Sequence, residues 1–79
     1  MSNESAVMAT EHDHLAQAMR HIGRAEEMVV EQRGLIDRMT QHGHDTTLAV
    51  AVLNTMQNSL DRMHEHRVMI ERAIAAGRK

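Results

Sequence analysis

The sequence predicts an all-α fold: an antiparallel helical hairpin, coiled-coil-like, that dimerises into a four-helix bundle. Three observations predict it. The chain has no proline and four glycines in 79 residues, so few positions interrupt a helix. Its apolar residues return at alternating steps of three and four, the 3.5-residue repeat that keeps one seam on one side of a helix. The repeat lapses once, in the middle, at HGHDT from His42 to Thr46. Neither half alternates with period two, as a half-buried strand does.

Residues 1–9 precede the seam pattern and read as a flexible N-terminus. Helix 1 is expected over about 10–42. Thr10 followed by Asp13 resembles a capping box at its start. Its seam runs through Leu15, Ala18, Ile22, Ala25, Val29, Ile36 and Met39, with Gln32 the one polar residue on it. The turn is placed at 43–45. Gly43 suits the left-handed residue that closes a helix. Asp45 suits the N-cap of the next helix, accepting from the amide of Thr47 or Leu48. A corner explains glycine and aspartate together, whereas a metal site at His42 and His44 requires neither.

Helix 2 is expected over about 46–76, with a loose tail at 77–79. Its seam is Ala49, Leu53, Met56, Leu60, Met63, Ile70 and Ile74, interrupted by Arg67. The short turn makes the helices antiparallel. The pairing expected from the two stripes sets Ile36 near Leu53, Val29 near Leu60 and Ile22 near Arg67. Gly23 and Gly34 fall off the seam and read as soft points or as places where a helix approaches closely.

A chain this short buries a small fraction of its surface and needs a staple or a partner. Cysteine is absent, so the staple is not a disulfide. Oligomerisation is the remaining ordinary route. Met28, Leu35 and Val52 lie beside the seams and form a second apolar strip, which a second hairpin would cover. Together with Arg67 they are the expected interface of a homodimer. Arg67 has three readings: its head snorkels to water, it pairs with Glu71, or it meets a carboxylate of the second hairpin and sets the register.

The formal net charge is -2, from 9 basic and 11 acidic residues, and no aromatic residue is present. Nucleic acid is therefore not an expected partner: there is no concentrated basic patch and no stacking platform. A membrane is not expected either. The longest apolar run, LAVAVL at Leu48 to Leu53, is far too short to span one. The first residues lack the basic start and apolar run of a signal peptide, so the expected location is the cytoplasm.

Seven histidines are present. His-x-His within a helix sets two rings about 200° apart around the axis, so one ion cannot bridge them. Across the hairpin, His21 and His66 fall on one side at nearly the same level. In a symmetric dimer joined along that side, four imidazoles would suit Zn²⁺ or a similar ion. On the other side Glu26 lies near His64. Asp61–His64 and Glu11–His14 have the spacing of half a di-iron motif, but the seam is aliphatic and lacks the buried carboxylates such a site needs. HEHRVMI, His64 to Ile70, has a faint likeness to the phospho-accepting box of dimeric sensor kinases. It lies on the second helix and lacks the Asn, Thr or Pro expected downstream. With no cysteine nucleophile and no phosphate loop, an enzyme is not expected.

The pattern His21-Ile22, then Gln32-Arg33-Gly34-Leu35-Ile36, then GHDT at Gly43 to Thr46, then His66-Arg67 resembles that of a group of short uncharacterised bacterial proteins. The likeness covers about Leu15 to Ile70. It implies a helical hairpin and no assigned activity. The expected function is a small cytoplasmic interaction or regulatory protein without catalytic activity, acting through its helical faces. The alternative is a histidine-based metal-binding or pH-responsive bundle, and the third reading is a phosphorelay accessory.

Overall fold

The computed structural model describes residues 3–77, with side chains from residue 10 onward. It contains two packed helices, α1 over Asn3–Gln41 and α2 over Thr47–Ala76, and the described residues contain no strand. The hairpin is a rod of 63 × 14 × 14 Å. The all-α antiparallel hairpin is therefore what the chain forms.

The seams account for the packing. Ile22, Val29, Ala49, Ile70 and Ile74 are buried, and the other seam positions described are partly covered. Gln32 and Arg67 are partly covered too, so both polar interruptions lie on the seam. Each residue of this set faces the opposite helix because 3.5-residue spacing returns it to one side.

The helix ends differ in detail from the sequence expectation. α1 starts at Asn3, ahead of Thr10, so Thr10 lies inside the helix and does not cap it. No proline or glycine lies in residues 3–9 to stop the helix from running through them. Residues 1–2 and 78–79, parts of the two expected loose ends, lie outside the described residues. α2 ends at Ala76, with Gly77 in a right-handed conformation and its amide donating to Ala73 O.

The expected pairing holds at one level and fails at another: Val29 and Leu60 line one hollow, as expected, while Gln32 lies elsewhere. Gln32 Nε2 donates to Ala49 O across the seam at 2.9 Å. That bond sets Gln32 level with the turn Ala49–Leu53, whereas the expected pairing set it level with Gln57. The bond gives the one polar side chain on the α1 seam a carbonyl with a spare lone pair. At the far end His66 shares a hollow with His14, Gln17, Ala18 and His21, which keeps the expected nearness of His21 and His66.

Candidate functional site

The corner is built from the backbone outward. Gly43 has φ +72 and is the one described residue with positive φ. Around it His44 N donates to Met39 O at 2.9 Å and Gly43 N to Thr40 O at 3.1 Å. This is a Schellman closure, which satisfies carbonyls that the end of α1 would otherwise leave open. Gly43 thus has the expected role.

Asp45 does the expected work from one position earlier than expected. Thr46 is the N-cap residue, since its carbonyl accepts from Val50 N at 2.8 Å. The Thr46 side chain makes no capping bond. Asp45 Oδ1 instead accepts from Thr47 Oγ1 at 2.6 Å and from Thr47 N at 2.9 Å. Those two donors, the hydroxyl first, hold the Asp45 carboxyl below its ordinary range. His42 and His44 flank the corner with ring centroids 6.3 Å apart, and both are exposed.

The histidines do not assemble into a shared centre. Six of the seven are exposed, and only His64 is partly covered. His14, His21 and His66 line one shallow hollow, so the expected neighbourhood of His21 and His66 is present. Yet among the described residues no group of three or more His, Asp or Glu could hold a metal ion. His14 instead lies 4.0 Å from Glu11 on its own helix. His64 lies 3.5 Å from Arg67 Nη2, while Glu26 lines a separate hollow with Arg33, Gln57 and Asp61.

Of the three readings of Arg67, the Glu71 pair is the one formed: Nη1 to Oε1 is 2.6 Å, one turn apart on α2. Arg67 is partly covered and Glu71 is exposed, so the pair lies at the edge of the seam.

What the hairpin offers most distinctly is an apolar groove. It has a volume of about 490 Å³ and is lined by Ala25 and Met28 of α1 and by Leu48, Val52, Thr55, Met56, Ser59 and Met63 among the residues of α2. No charged side chain lines it. Thr55 Oγ1 donates to Ala51 O on its own helix at 3.2 Å, so that hydroxyl is already engaged. Leu35, also expected at the interface, is exposed but outside the groove lining. Leu48 and Met69, which flank the α2 seam in the sequence, are 78% and 66% exposed, and Leu48 enters the lining. What sequence reasoning missed is their repeat: Leu48, Thr55, Arg62 and Met69 recur every seven residues, one stripe beside the seam.

No family model, no curated protein and no solved structure matches this chain. The reading of function therefore rests on the groove and the corner. No helix among the described residues is long and apolar enough to cross a membrane.

Proposed function

We propose that this chain is a non-catalytic interaction hairpin of the cytoplasm, whose working surface is the apolar groove between Met28 of α1 and Leu48–Met63 of α2. The supporting observation is the lining itself: large apolar side chains, half open to water, with no charge among them. Water leaves such a surface readily when another apolar surface covers it. Eight methionines and no aromatics in the chain favour a surface that adapts to the shape it meets. The likeness to short bacterial proteins with a GHDT turn adds no activity to this reading, because the GHDT residues build the corner.

The test is a charge placed in the groove. Val52→Glu changes an exposed residue, so the hairpin still folds, as circular dichroism would verify. The variant is expected to lose the associations of the intact chain, both in sedimentation and in capture of other proteins. Identical masses and identical captured proteins for the two chains would refute the role of the groove.

A further inference from the structure

We infer that the occupant of the groove is a second copy of this chain, lying face to face and reversed end for end; the inference rests on the groove being the working surface. Two features carry it. The first is area. α2 is about 45 Å long at 1.5 Å per residue, and the hairpin is 14 Å across. Laying this face on a copy covers about 600 Å² on each side before side-chain relief is counted, close to the roughly 800 Å² per partner of stable complexes.

The second feature is the reciprocity of the exposed stripe on α2. A twofold axis crossing between Asn58 and Ser59 sets Leu48 level with Met69 of the second copy, and Thr55 level with Arg62. Leu48 and Met69 are 78% and 66% exposed, among the most exposed apolar side chains of the chain, and each covers the other twice in such a pair. A twofold interface demands this kind of self-matching: residue i meets j, and j meets i.

The chain has no cysteine, which makes the geometry directly readable. Ser59→Cys places one thiol beside the twofold axis; Asp61→Cys places one on the opposite side, in the hollow with Glu26 and Val30. Wild-type chain is expected to sediment at twice its 8.9 kDa mass. Under mild oxidation Ser59→Cys is expected to form covalent dimers and Asp61→Cys to remain single chains. A single-chain mass at high concentration, or cross-linking through residue 61 and not 59, overturns the inference. The two readings fail separately. If the chain is single but Val52→Glu still abolishes capture of another protein, the groove keeps its role and self-pairing falls. If the chain is single and Val52→Glu changes nothing, both fall.

Discussion

Asp45 shows how much one side chain does at the corner. Its carboxylate takes both donors of Thr47, including an amide that the start of a helix leaves without a partner. Those bonds favour the ionised form and lower its pKa in the fold. A carboxyl depressed on folding adds stability above its unfolded pKa of about 3.9, and that stability is lost as pH falls through the lower folded value. Asp45→Asn is therefore expected to melt below wild type at pH 7, with the gap closing as wild type is titrated below about pH 4. Parallel melting curves measured from pH 7 to 2 check this; a gap unchanged at low pH would mean the charge is irrelevant. Gly43 and Asp45 were legible in the sequence because turn chemistry is local. Thr46 was harder to place, since an aspartate reaching two residues on and one capping its own helix leave the same sequence mark.

The scale of the helices is governed by repetition. The two seams were legible because spacing alone specifies a face, and Ile22, Val29, Ile70 and Ile74 are buried as that spacing requires. The place of Gln32 was not, because a stripe that repeats every three or four residues fits itself again one turn along. Its amide bonds to the carbonyl of Ala49, and no apolar pattern encodes which carbonyl an amide will find. The start of α1 was illegible for a similar reason: the residues before Thr10 carry no helix breaker to mark a boundary. Gly23 belongs to this scale as well. A Cβ added there would meet nothing within 4 Å, so no helix of the hairpin needs the space, and softness is the reading that fits within the chain. Gly23→Ala is expected to stabilise the hairpin by about 1 kcal/mol, raising its thermal midpoint by a few degrees. Calorimetry of the two chains checks it, and a lower midpoint would reveal a close neighbour at Gly23 in the assembled protein.

For the molecule as a whole, one seam is the entire core. Five apolar residues are buried among those described, and none of these side chains is fully enclosed. A hairpin with so little interior gains most from the methyl groups it can still cover, at roughly 1.5–3 kcal/mol for each large side chain taken fully out of water. On the proposed pairing, association adds to the stability of the folded hairpin, and melting depends on protein concentration. A tenfold increase in concentration is expected to raise the melting midpoint by several degrees, and a midpoint independent of concentration would mark a self-sufficient single hairpin. That strips beside the seams stay open was legible in Met28, Leu35 and Val52. What covers them was not, because a surface that excludes water specifies a chemistry and leaves the partner open.

The Schellman closure at Gly43 has a consequence for how this chain finds its shape. The reversal spans only residues 42–46, so bringing the first neighbours across the two helices together loses little chain entropy. Every later layer, from Gln32 outward to Ile74, then closes against one already in place. Assembly on this plan proceeds like a zip from the bend, in the fast regime of proteins dominated by near neighbours. The last teeth to engage, and the first to open, are the two chain ends.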